Sequence, residues 1–164
     1  MKCKKIILLF CLTFFIFAGC TKDAKISGNQ WFLGENSFTD TIRIASTSIS
    51  DLFSLYLIDT IGIADFQTEI SLILTQLQAA EIAFANKCAM IEVDSQSFAS
   101  KRGTDAISSA YQTTIKFLES SLKNESSKEE LKKQYSIWRE SLTRDIATYY
   151  VAKQLIEEAD KKNE

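Results

Sequence analysis

Eight residues of low polarity, Phe66, Ile70, Ile73, Leu77, Ala80, Phe84, Cys88 and Ile91, recur at steps of three and four along one stretch of the chain. A repeat near 3.6 residues places all of them on one side of an α-helix, and such a stripe is stable in water only when another element covers it. A strand presents side chains with a period of two and cannot carry this pattern. The stretch therefore predicts a long helix, beginning at Ala64 or Asp65, packed into a bundle.

Three more stretches have the same character. From about Thr39, Ile42, Ala45, Ile49, Leu52, Phe53, Tyr56 and Leu57 step by threes and fours, with Asp40 suited to the positive end of a helix dipole. Gly62 interrupts the pattern around Asp59 to Ile63 and predicts a turn or a kink there. Residues 92–103 have loop-like composition, Ser95 to Lys101 being the least ordered part. Thr104 is then the expected N-cap of a helix burying Ile107, Tyr111, Leu118, Leu122 and either Thr114 or Ile115. The last stretch buries Leu131, Tyr135, Trp138, Leu142, Ile146, Tyr149, Ala152 and Ile156, with Lys161 and Lys162 at its negative end. It starts at Ser127-Lys-Glu-Glu130, a capping box in which a serine and a glutamate each satisfy an orphan backbone N–H.

No proline interrupts any of these stretches. Four amphipathic helices joined by short loops bury their stripes most simply as an up-down bundle, so the expected class is all-α with about four helices in a single domain over residues 39–164.

The segment ahead of that domain has a different logic. Lys2, Lys4 and Lys5 precede an uncharged apolar run from Ile6 to Phe17, which is shorter than the ~20 residues of a spanning helix and ends on the small Ala18 and Gly19. This is the plan of a cleavable signal peptide over residues 1–19. Phe17-Ala18-Gly19-Cys20 resembles the lipobox of bacterial lipoproteins, departing from it at Phe17, where the family usually has leucine or another aliphatic residue. The resemblance covers these residues alone. It implies cleavage between Gly19 and Cys20, a diacylglyceryl group on the Cys20 thiol and often acylation of the new amino end. Several acyl chains on one residue hold a protein on a membrane, at ~0.8 kcal/mol per buried CH₂. Thr21 stands where enterobacterial lipoproteins kept in the inner membrane commonly have aspartate, so the resemblance implies the outer membrane. Residues 20–38 then form a polar tether. Trp31 and Phe32 interrupt it, either packed on the bundle or in contact with a membrane interface or partner.

Removing Lys2, Lys4 and Lys5 from the 19 basic side chains leaves 16 against 21 acidic ones, a formal net of −5 from Cys20 onward. Nucleic acid is recognised through basic contacts to phosphate, so it is not an expected partner. The chain has no histidine, which removes the usual neutral-pH proton shuttle and the commonest metal ligand, and no metal or other cofactor is expected. Asp65 and Glu69 are one turn apart but belong to a solvated face. Ser120 and Lys123 match a Ser-x-x-Lys spacing without supporting partners. Cys88 is the one cysteine left after signal removal and lipidation, and its place between Phe84 and Ile91 makes it a core residue rather than a reactive thiol.

These features predict a non-enzymatic, lipid-anchored envelope module that binds a protein partner. Its size and plan are similar to those of helical pilotin lipoproteins and exclusion-type surface lipoproteins, a comparison of architecture that carries over no residue. Tyr150, off the predicted seam, is the expected contact residue, with Trp31 and Phe32. A carrier of an apolar ligand is the alternative, and an enzyme without a recognisable motif a more distant one.

Overall fold

The computed structural model describes residues 27–34, 36–92, 96–123 and 127–162. The signal segment, Gly19 and Cys20 lie outside the described residues. Among the described residues the architecture is all-helical, with five helices: α1 (Gly28–Gly34), α2 (Ser37–Leu57), α3 (Ile63–Ala89), α4 (Phe98–Ser121) and α5 (Lys128–Lys161).

The four long helices run up and down. At one end of the bundle Phe38 of α2 meets Phe84 of α3 with ring centroids 5.1 Å apart, and the Tyr111 hydroxyl of α4 donates to the Phe38 carbonyl over 3.1 Å. At the other end Phe53 of α2 stacks on Tyr135 of α5 at 4.4 Å and meets Phe66 of α3 and Phe117 of α4. The two aromatic clusters bury large apolar areas and close both ends of the core. The α3 stripe is buried as expected from Phe66 through Phe84, with Ile91 beyond the helix also buried and Cys88 half-buried. On α5, Leu131, Trp138, Leu142, Tyr149, Ala152 and Ile156 are buried, and Tyr135 and Ile146 partly so. Ser127 caps this helix, its side chain accepting from Glu130 N at 3.2 Å.

The helix count departs from about four because α1 lies within the stretch expected to be a tether. Trp31 and Phe32 are 8% and 1% exposed, so the described part of that stretch belongs to the folded domain. Gly103 makes room for Phe32: a Cβ built there would sit 2.1 and 2.5 Å from Phe32 Cζ and Cε2 and 3.0 Å from Ala152 Cβ. Phe32 thus seats in a notch between α4 and α5, against the Tyr149 ring at 5.2 Å.

Three boundaries move for local reasons. Helix α4 begins at Phe98, not after Thr104, because Ser97 supplies the cap by accepting from Ser100 N at 3.1 Å. Thr104 instead lies inside the helix and donates to the Ser100 carbonyl. Between α2 and α3 the chain does turn, but the residue with positive φ is Asp59 (58°), whereas Gly62 is extended at φ −77° and ψ 166°. Helix α2 starts at Ser37, and the Asn36 side chain makes no cap bond; its Oδ1 accepts from Tyr149 Oη at 3.3 Å and Lys153 Nζ at 2.7 Å, joining the start of α2 to α5.

Candidate functional site

The residues singled out in the sequence scatter. Of the expected contact residues, Trp31 and Phe32 are core side chains and are not available to an outside partner, because α1 folds onto the notch at Gly103. Tyr150 is 54% exposed, its ring edge against Tyr149 at 5.1 Å. Asp65 is exposed and Glu69 half-buried, and the Ser120 hydroxyl donates to Gln134 Oε1 at 2.9 Å. Among the described residues no three metal-ligating side chains gather, and no helix is long and apolar enough to cross a membrane.

The hydroxyl groups are largely engaged with their own helices. Thr68, Ser50, Ser54 and Thr114, for example, each donate to the carbonyl four residues earlier over 2.7–2.8 Å. A hydroxyl used in this way donates to a carbonyl that the helix N–H already uses, and a carbonyl is no base to take its proton.

Cys88 is half-buried, and its thiol is pushed up from an ordinary 9.0 to about 11, first by burial and then by the negative charge of Asp105, against a smaller opposing effect of a backbone hydrogen bond. The thiolate is the attacking form, so at pH 8 alkylation of native Cys88 should be slow and should become fast in denaturant. The native rate should keep rising toward pH 11, where an ordinary thiol has already levelled off. Rates in the native and denatured protein that match at pH 8 would place the thiol in free solvent. The raised value also means that the neutral thiol favours the fold below about pH 9 and that this contribution is lost as pH rises through 11.

Among the described residues an apolar groove lies between the first turns of α4 and the C-terminal half of α5. It encloses about 270 Å³ and is bordered by Phe98, Val151 and Leu155, with Ala147 and Ala152 in its lining and Arg102 and Arg144 on its margin. Phe98 is 81% exposed, Val151 58% and Leu155 53%. Phe98 occupies the first helical position after the Ser97 cap. Val151 and Leu155 are one turn apart on a face of α5 separate from its seam. Tyr150 precedes Val151 by one residue and so points about 100° away around the helix, outside the groove. Sequence reasoning missed all three groove residues. The available signal was the apolar i, i+4 pair Val151 and Leu155 outside the seam; Phe98 gave none, since it lay in a stretch of loop-like composition.

Among the described residues the groove's lining holds two arginines and no acidic side chain, in a domain whose overall charge is negative. Its chemistry is that of a mostly apolar surface carrying two guanidinium groups. The chain matches no known protein-family model, no curated protein and no solved structure.

Proposed function

We propose that this chain is a bacterial envelope lipoprotein, held on a membrane through acylated Cys20, that works by protein contact and not by catalysis. The observation that carries this reading is Phe17-Ala18-Gly19-Cys20 behind a short, basic-led apolar segment. It is supported by a helical body whose hydroxyls are largely bonded to their own helices and whose half-buried thiol is held neutral. Tyr150 is the contact residue of this reading, and the outer membrane its location. A pilotin-like or exclusion-type assembly role fits a small body of this plan.

The test is made on the full chain in a bacterial host. A palmitate analogue should label the wild type, and Cys20→Ala should abolish the label and leave the signal attached. Label retained by Cys20→Ala overturns the anchor. In the same cells a photo-crosslinking amino acid at position 150 should give one discrete heavier adduct in the envelope fraction; only the monomer at all exposures overturns the contact role of Tyr150.

A further inference from the structure

The described chain starts beside the groove. A Cβ on Gly28 would lie 2.3 Å from Gln96 Cγ, and Asn29 Oδ1 accepts from Ser97 N at 3.1 Å, so the start of α1 is seated on the residues that lead into Phe98. Cys20 is seven residues ahead of Ser27, where the description begins. A fully extended chain of that length reaches at most about 25 Å. The opposite end of the bundle, where Ile58 lies 71% exposed next to the Asp59–Lys128 ion pair, is separated from Phe98 by the whole of α4, 24 residues or about 36 Å. The tether is thus long enough for the Phe98 end to touch a surface that holds Cys20, and too short to let the Ile58 end reach it with the bundle upright.

We propose that the α4–α5 face bearing Phe98, Val151 and Leu155 rests on the lipid surface that holds Cys20, with Arg102 and Arg144 against anionic headgroups. The proposal rests on the lipoprotein reading and adds an orientation to it. A bilayer interface accepts an aromatic ring at headgroup depth and aliphatic side chains just below it, and anionic headgroups attract flanking arginines. That chemistry matches the groove, whose lining carries apolar side chains and two cations without a carboxylate. Beyond Leu155 the chain turns acidic at Glu157 and Glu158, and Glu158 is engaged within α5, accepting a hydrogen bond from Gln154 Nε2 at 2.9 Å. Lipid contact at this end leaves the other end, with Ile58, directed away from the membrane.

The experiment uses the full chain purified from membranes and reconstituted in vesicles of phosphatidylethanolamine and phosphatidylglycerol with bromine-labelled acyl chains. Phe98→Trp and Ile58→Trp serve as depth reporters, over the constant background of Trp31 and Trp138, which are 8% and 2% exposed. The added emission of the Phe98→Trp protein should shift to the blue and lose intensity relative to bromine-free vesicles, while that of the Ile58→Trp protein should not. Arg102→Glu with Arg144→Glu should reduce the loss in the Phe98→Trp protein. Mass measurement of the N-terminal peptide separates the two readings. An unacylated peptide overturns the anchor and with it this orientation. An acylated protein in which the reporter at position 98 is no more quenched than the one at position 58 overturns the orientation alone. A position-98 reporter that is unquenched in these vesicles but blue-shifted in native envelope membranes overturns the lipid occupant in favour of a protein.

Discussion

Replacing Gly103 with alanine should destabilise the bundle by about 2 to 4 kcal/mol, although it puts the best helix former into the interior of a helix. Taken alone, that exchange favours α4 by about 1 kcal/mol. The new methyl, however, would fall 2.1 Å from Phe32 Cζ and within 3.0 Å of Ala152 Cβ, and the closest atoms belong to a rigid ring. Phe32 is 1% exposed and held against Tyr149, so it cannot yield within the core; it has to leave the notch. Losing a buried phenylalanine from its site costs about 3 to 5 kcal/mol, which exceeds the gain in helix propensity. The sign should reverse once Phe32 is gone. In a Phe32→Ala background the same Gly103→Ala exchange should be neutral or stabilising, by up to about 1 kcal/mol. Chemical denaturation of the four proteins gives the cycle directly. A destabilisation by Gly103→Ala that is the same with and without Phe32 would show that α1 does not depend on the notch.

The second large effect is expected at Trp138, which ties α4 to α5 by both shape and a hydrogen bond. Its indole is 2% exposed, stacked on Phe117 at 4.8 Å with planes 8° apart, and Nε1 donates to Thr114 Oγ1 at 3.1 Å. The Thr114 hydroxyl in turn donates to the Ala110 carbonyl at 2.7 Å, so one threonine serves as acceptor for α5 and donor within α4. Trp138→Ala should cost about 3 to 5 kcal/mol through the cavity it leaves. For a chain of this size that is a fall in Tm of about 10 °C. Thr114→Val keeps the volume but strands a buried indole N–H, and should cost about 1 to 3 kcal/mol. Trp138→Phe removes that donor, so Thr114→Val should cost less in the Trp138→Phe protein than in the wild type. Thermal melts of the set test the pair, and equal costs of Thr114→Val in both backgrounds would mean that the hydrogen bond contributes nothing.

Much of the bundle was legible because the signals for it are local. Stripes such as Phe66, Ile70, Ile73 and Leu77 name their own buried face, and Ser127 with Glu130 names its own helix start. Errors arose where two local signals competed. Ser97 and Thr104 are both acceptable caps, and Ser97 serves because Asn29 of α1 receives its backbone N–H and Gly103 must be helical to seat Phe32. Gly62 drew the break between α2 and α3 to itself, while Asp59 adopted the left-handed conformation that turns the chain.

Helix α1 was illegible for another reason. Seven residues span two turns, too few for a period to register and too few to be stable without tertiary packing. GNQWFLG has helical meaning only opposite the notch that Gly103 leaves between α4 and α5. The same holds for the groove, since exposed Phe98 and the Val151, Leu155 pair are 53 residues or more apart in sequence and become neighbours only when α4 lies against α5. The amino-acid order alone determined the four long helical stretches, short of some of their ends, and the side of each that is buried, because the repeat of apolar residues along a helix is a property of that helix by itself. Which apolar side chains were left outside, and that Trp31 and Phe32 were taken in, was decided by the pairing of helices, where a missing side chain on one surface creates the place for a ring on another.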